Sequence, residues 1–445
     1  MTKSDPTNRS LFQLSYPLFL QSLVMFTVMA AEMMIWSAHA PQTAASLSIA
    51  GLVFRVAMEL SAVMGIGAVI LITQHLGRGD GAAARLTAEV ACMANLVLGA
   101  VLSVAMVLVG PVLLRAMPLD PGLEAGALDY LMISAGGLLF LCFGNTAVAC
   151  LRGYGRSEIV MVLGAFGAVL YLALGYMFVI GPGRLPALGA QGAGVANLST
   201  RVLFAVVLAC VVTSVLGLKL VASRVMEHGA MIRQMTRLAL PSVSDFIAYS
   251  FYQIVLVSVI ATQGELPVLA RAYVMIAMSF LTLVIMAVTQ GTEVLIGYRL
   301  GAKRFGDVFD IGVQSAWVTA GLAMGCAGLI YLGSDLFIGL FTDDPKVVAL
   351  CKQLLWLTIF LQPCFAVNMV LFHALRAIED VRWPVLVSQT LSWGVGLPLA
   401  WWLCAPLGFG VVGVWWAFLA EEFIKAVAMG WRWSHQRAAI AQRTR

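Results

Sequence analysis

Charge is what this sequence has least of. Asp, Glu, Lys and Arg make up 11% of its 445 residues, against 61% hydrophobic residues, where a soluble chain carries about 25% charged residues. That scarcity excludes a water-soluble globular domain and leaves a polytopic membrane protein. Histidine is sparse as well: His39, His75, His228, His373 and His435 have no ligand spacing, so no metal centre is expected. The 8 cysteines lie mostly inside apolar runs, as Cys92, Cys150 and Cys210 do, without disulfide-framework or zinc spacing, and read as small packing residues. The chain lacks a Walker A motif, which removes ATP-driven work by this chain alone. Gly77-x-Gly79-x-x-Ala82 follows an apolar helix rather than a strand, so it is no dinucleotide fingerprint. The first ten residues, MTKSDPTNRS, lack a small-residue cleavage site, so the first apolar run is expected to be retained. A net charge of +5 does not point to nucleic acid, because the basic residues sit in short loops between apolar runs.

What is present is length in the apolar runs. Stretches long enough to span a bilayer, about 20 residues each, fall at 11–37, 48–74, 87–114, 128–151, 158–181 and 189–217. After a basic stretch they resume at 238–262, 270–298, 310–334, 352–375, 383–404 and 410–431. The fold class expected is therefore all-α, with twelve transmembrane helices. With the N-terminus inside, the inner loops hold 19 Lys and Arg and the outer loops 5, with Arg55, Arg201 and Lys425 left within spans. That excess places both termini in the cytoplasm, in a multi-pass protein of the cell membrane, the inner membrane of a bacterium.

The two halves repeat. Leu14-x-x-Pro17 returns as Leu238-x-x-Pro241, Leu76-Gly77 as Leu300-Gly301, and Leu151-Arg152 as Leu375-Arg376, each 224 positions later. Gly189-x-x-Gly192 returns as Gly410-x-x-Gly413, 221 positions later. Six spans per copy is an even number, so the copies insert the same way round, and parallel repeats of this kind are a transporter architecture. The organisation expected is an N-terminal lobe at 1–217, a cytoplasmic linker at 218–237, a C-terminal lobe at 238–433 and a basic cytoplasmic tail at 434–445.

The span from Pro17 to Glu32, the Leu76-Gly77 loop, the Leu151-Arg152-Gly153-x-Gly155 turn and the Leu188-Gly189-x-x-Gly192-Ala193 entry, with their weaker second copies, resemble the multidrug and toxic compound extrusion (MATE) family over nearly the whole chain. The resemblance implies a two-lobed antiporter that expels organic cations and other amphipathic compounds on an H⁺ or Na⁺ gradient. It also implies an acid about four turns after the first proline, where this chain has Glu32. Many prokaryotic members support that acid with an Asn and an Asp in span 5, which here become Tyr171 and Gly175. The acids that sodium-coupled relatives carry in spans 7 and 10 become Tyr249 and Phe365, and this loss favours H⁺ over Na⁺.

Glu32 stands out on its own account. It is the only formally charged residue between Arg9 and Arg55, and a carboxylate at mid-membrane costs roughly 3 kcal/mol on insertion scales. An acid kept there is a candidate coupling group, since burial favours the protonated form of a carboxyl; a Glu snorkelling to the outer interface is the plain alternative. Arg55 and Glu59, four apart on span 2, read as an internal ion pair. Arg55 is equally a candidate counter-ion for Glu32, because the two lie about 8–10 Å below the outer face at 1.5 Å per residue. Asp245 and Glu293 fall in the inner half of the second lobe and have no counterparts in the first, which suggests one cavity lined by both, with snorkelling as the alternative for Glu293. Glu421, Glu422 and Lys425 form a local charge cluster. Asn145, Asn197 and Asn368 are polar interior candidates that more often only join helices by hydrogen bonds.

The function expected is a cation-coupled antiporter for amphipathic, cationic small molecules, H⁺ favoured over Na⁺, with Met, Phe, Tyr and Trp walls suited to promiscuous binding. A flippase for lipid-linked cargo is the alternative, though it would need a basic cleft. The chain is expected to act as a monomer in the lipid bilayer, not as an enzyme, without cofactor beyond the transported ion and without nucleic acid.

Overall fold

In lipid every backbone N–H and C=O must be satisfied within the protein, so apolar runs of this length fold as helices. The computed structural model describes residues 9–181 and 186–442, and no strand occurs among the described residues. The first six runs are α1 (Leu11–His39), α2 (Pro41–Leu60) with α3 (Val63–Gly77), α4 (Gly81–Arg115), α5 (Pro121–Ala135) with α6 (Leu138–Gly153), α7 (Ser157–Gly175) closing in a π turn at Tyr176–Ile180, and α8 (Gly189–Leu216). The expected linker holds a short α9 (Ser223–Glu227) and the first turns of α10 (Gly229–Ala261). Then come α11 (Glu265–Gly301), α12 (Phe305–Leu332), a short α13 (Ser334–Gly339), α14 (Pro345–Ala377), α15 (Arg382–Leu391), a π turn at Ser392–Gly396, α16 (Leu397–Cys404) and α17 (Gly410–Gln442).

Twelve helical runs thus stand where twelve were expected. Among the described residues nine are long and apolar enough to cross a membrane, and the α5–α6 pair, bent by 56°, makes a tenth. The other two are the run split by the second π turn and α17, whose middle carries Glu421, Glu422 and Lys425. α17 continues through the residues expected as a tail as far as Gln442; 443–445 lie outside the described residues.

The chain divides into two compact units. Unit 1 takes residues 20–243; unit 2 takes 244–445 together with the start of α1 up to Phe19. The crossing points lie inside α1 and α10, each shortly after the helix proline, Pro17 or Pro241, and they are 224 positions apart. Each proline helix therefore begins in the unit formed by the other repeat. Within unit 1, Gly67 of α3 lies against α10, where a Cβ would stand 2.6 Å from the Met235 carbonyl oxygen. Within unit 2, Gly291 of α11 lies in the same way against Leu11 and Ser15 of α1. These glycines, again 224 apart, let helix backbones approach where any side chain would hold them off.

The repeat also survives in backbone conformation where the residue has changed. Gly79 (φ 79°) and Gly155 (φ 67°) close the turns after α3 and α6, and 224 positions later Lys303 (φ 58°) and Glu379 (φ 69°) hold the same left-handed conformation. They are the two non-glycine residues with positive φ among the described residues. Asp120–Pro121 and Asp344–Pro345 open α5 and α14 alike: each Asp accepts a hydrogen bond from a first-turn N–H, Gly122 at 2.9 Å and Lys346 at 2.8 Å, and proline fits the first helical position.

Candidate functional site

In unit 1 the site forms around Glu32. Tyr171 of α7 donates its hydroxyl to the Glu32 carboxylate at 2.7 Å, across 139 positions of sequence. Trp36, one turn beyond Glu32, is buried and meets Tyr171 edge-on, with ring centroids 6.3 Å apart and an interplanar angle of 77°. Gly175 makes room for it, since a Cβ there would lie 3.0 Å from the indole. The two span 5 positions singled out by the resemblance are thus both used: Tyr171 holds the acid and Gly175 admits the tryptophan that packs on Tyr171. Asn197 of α8 is within hydrogen-bonding reach of the Tyr171 hydroxyl, and its Oδ1 is buried with no partner.

Arg55 does not join this group. It is exposed on α2, it forms no ion pair with Glu32, and the charge it acts on is Glu59, one turn further along. Equal depth in a membrane says nothing about direction around a helix, and α2 turns this residue elsewhere. A cation that does act on this group is Arg201 of α8, whose field reaches Tyr171 and Tyr130 and whose Nη1 lies 3.5 Å from the Ser134 carbonyl oxygen at the α5–α6 bend. Its position within an apolar span was visible in the sequence; its neighbours were not. Asn145 has a structural task. It donates to Ser61 Oγ at 2.7 Å where α2 breaks from α3, while Asn95 Nδ2 lies 2.7 Å from the Ser61 carbonyl oxygen and 2.6 Å from that of Cys142.

In unit 2 Asp245 and Glu293, expected to line one cavity, are engaged by different partners. Glu293 is buried and held by Arg376 of α14 through two parallel bonds, Nε to Oε1 at 2.8 Å and Nη2 to Oε2 at 2.7 Å. It is buried in the protein and does not snorkel. His373, one turn before Arg376, is a satisfied interior residue with Nδ1 at 2.9 Å from the Met369 carbonyl oxygen. Asp245 of α10 accepts instead from the Gln389 amide of α15, and Tyr249 accepts from Gln253 Nε2 at 2.6 Å. Asn368 of α14 donates to Glu422 at 2.9 Å.

The charge cluster of α17 is the part that sequence reasoning undervalued. Glu421 accepts from Lys425 at 2.6 Å, from Ser392 of the π turn at 2.7 Å and from Tyr252 of α10 at 2.5 Å. Lys425 also reaches Ser392 at 2.9 Å and Glu422 at 3.3 Å. Gly396 gives the Glu421 carboxylate its place, since no Cβ fits between them. All of these groups are buried. The available signal was the two adjacent acids with a lysine one turn on; the partners from three other helical segments left none.

Two parallel six-run repeats with acids held inside the membrane are the architecture of a secondary transporter. The MatE family model matches residues 17–177 and again 241–402, once per repeat, and the chain belongs to this family of MATE transporters. It is 28% identical to the uncharacterized transporter YisQ of Bacillus subtilis (strain 168), over 95% of this chain and 93% of that one. It is 23% identical to the probable multidrug resistance protein NorM of Agrobacterium fabrum (strain C58 / ATCC 33970), over 94% of this chain and 91% of that one. A solved outward-facing multidrug resistance MATE family transporter of the MOP superfamily superposes with a TM-score of 0.89 at 19% identity, covering 98% of this chain and 97% of that one, and so has the same fold.

Proposed function

We propose that this chain is a proton-coupled antiporter that exports amphipathic, cationic small molecules, with Glu32 as the group that carries the coupling proton. The observation that supports this reading is the Tyr171–Glu32 hydrogen bond at 2.7 Å. A phenol hydroxyl donates to a carboxylate and accepts from a carboxylic acid, so one partner serves both protonation states of an acid that must cycle between them. Arg201 stands behind Tyr171 rather than in an ion pair with Glu32, so no fixed cation neutralises the acid. A proton needs one base; a sodium ion needs several oxygens at short range, and the polar partner of Glu32 is a single hydroxyl. In this reading the chain works as a monomer in the inner membrane of a bacterium, with both termini and the 218–237 segment in the cytoplasm.

The test is transport of ethidium by the reconstituted protein, driven separately by a proton and by a sodium gradient. The proton gradient drives exchange, Glu32→Gln folds but does not exchange, and Glu32→Asp keeps part of the rate. Exchange by Glu32→Gln at the wild-type rate, or on sodium alone, would overturn the assignment. Orientation is checked by cysteine labelling from outside, which should miss a probe at position 228 and reach one at position 343.

A further inference from the structure

The buried network of unit 2 is unbalanced in a specific way. Glu421 and Lys425 form a closed neutral pair: the Glu421 carboxylate receives three donors, from Lys425, Ser392 and Tyr252, at 2.5–2.7 Å. Glu422 is the charge left over. Its contact with Lys425 is long, 3.3 Å, and its other oxygen takes one bond, from Asn368 Nδ2 at 2.9 Å. An unbalanced carboxylate held away from water is costly. A second observation is independent of this count. Asn368 is 6% exposed, and its Oδ1 is buried with no hydrogen-bond partner. The nitrogen of the same amide bonds Glu422, so the vacant acceptor belongs to a side chain already in contact with that carboxyl. It lacks a donor, and a protonated Glu422 would supply one. The Glu422 side chain retains 11% exposure against 2% for Glu421, so the odd carboxyl is also the less enclosed of the two.

We infer that Glu422 is a second proton-binding site, built into unit 2 on α17, with the Glu421–Lys425 pair as its fixed frame and Asn368 as a partner for both states. The inference rests on the antiporter reading and adds to it a proton carried in the other unit. When Glu422 is ionised the Asn368 amide nitrogen donates to it; when it is protonated its O–H donates to Asn368 Oδ1. The surroundings favour a proton over a metal cation, since the oxygens of Glu421 are occupied by donors and the Lys425 ammonium already stands at Glu422. The titratable and charged groups that face it are Tyr249 and Tyr252 of α10, Cys364 of α14, and Glu421 and Lys425 of α17 itself, while Asp245 of α10 lies within the field of Lys425. On the other helices packed against α17, Glu293 of α11 is engaged by Arg376, Asp307 and Asp310 of α12 are exposed, and α16 carries no charged residue.

The test uses the full chain in lipid nanodiscs and infrared pH-difference spectra, which resolve protonated carboxyl groups without any substrate. The wild type shows two titrating buried-carboxyl bands; Glu32→Gln removes one and Glu422→Gln the other. Asn368→Leu, which leaves every charge in place, displaces the Glu422 band, and it carries the test if Glu422→Gln does not fold. In proteoliposomes, the number of protons exchanged per ethidium, read from the pH gradient that just halts transport, falls by one in Glu422→Gln. Spectra of Glu422→Gln and Asn368→Leu that match the wild type overturn the inference, as does an unchanged exchange ratio. A wild-type protein that moves no ethidium on either gradient refutes the antiporter reading instead, and the infrared result stands apart from it.

Discussion

The two units share one backbone plan and break it in different places. In unit 1 the second span is interrupted at Ser61–Ala62 and the fourth bends at Gly136–Gly137. In unit 2 their counterparts, α11 and α14, run unbroken from Glu265 to Gly301 and from Pro345 to Ala377. The residues explain the difference. Asn95 and Asn145, which take up the polar groups freed at the first break, become Thr319 and Met369 in the second copy, and Ser61 becomes Ile285. Ile285 and Met369 lie in an apolar cluster with Ala323 and Ala366. The glycine pair at the second break becomes Phe360–Leu361. A break inside a membrane persists only where side chains satisfy the freed backbone, so the unit without these amides has unbroken helices there. Unit 2 places its polar groups elsewhere, in the Arg376–Glu293 pair and the α17 network. Each unit thus reserves a different part of the same plan for its charged chemistry.

The largest effect that would sharpen this comparison is on the Arg376–Glu293 pair. Arg376→Met leaves a buried carboxylate without its bidentate partner and should cost about 3–5 kcal/mol, read as thermal unfolding of the protein in detergent. The double change Arg376→Met with Glu293→Met, which leaves neither charge buried alone, should recover most of that loss. A double variant as unstable as the single would mean that the pair does more than neutralise itself.

Next comes the polar knot of unit 1. Asn95→Leu takes the donor from the Ser61 carbonyl oxygen at the helix break and should cost about 2 kcal/mol. Its counterpart change in unit 2, Thr319→Val, removes a bond that closes within one helix, from Thr319 Oγ1 to Ser315 at 2.6 Å, and should cost about 0.6 kcal/mol. Equal losses at the two positions would break the claim that the helix interruption of unit 1 depends on its amides.

Asp245→Asn is expected to alter the range of exported cations more than their coupling to protons, because Asp245 has no counterpart in the first copy and its carboxylate is engaged by the Gln389 amide. Concentration dependence of transport for several cations, measured at fixed pH gradient, separates the two outcomes. The smallest effect is at the left-handed turns. Lys303→Gly and Glu379→Gly restore the glycines of the first copy and should each stabilise by about 1 kcal/mol, whereas Gly79→Ala should do the opposite.

Much of this molecule was legible before any coordinates. Apolar length dictates the helices, because lipid offers the backbone no other partner, and the offset of 224 identifies the repeat; the left-handed turns kept at Lys303 and Glu379 came only with the structure. Glu32 was visible for the same reason: a lone acid in a long apolar run. What only the tertiary structure decided is which side chains meet. Depth along a span follows from sequence, but direction around a helix depends on how that helix packs, so Arg55 stayed out of an ion pair with Glu32 and Tyr171 came to it. Likewise the crossing of α1 and α10 between units, and the donors from α10, α14 and the π turn that surround Glu421 and Glu422, join residues more than twenty positions apart. Local pattern carries hydropathy and backbone conformation; it carries no record of azimuth, and charge pairing inside a membrane is set by azimuth.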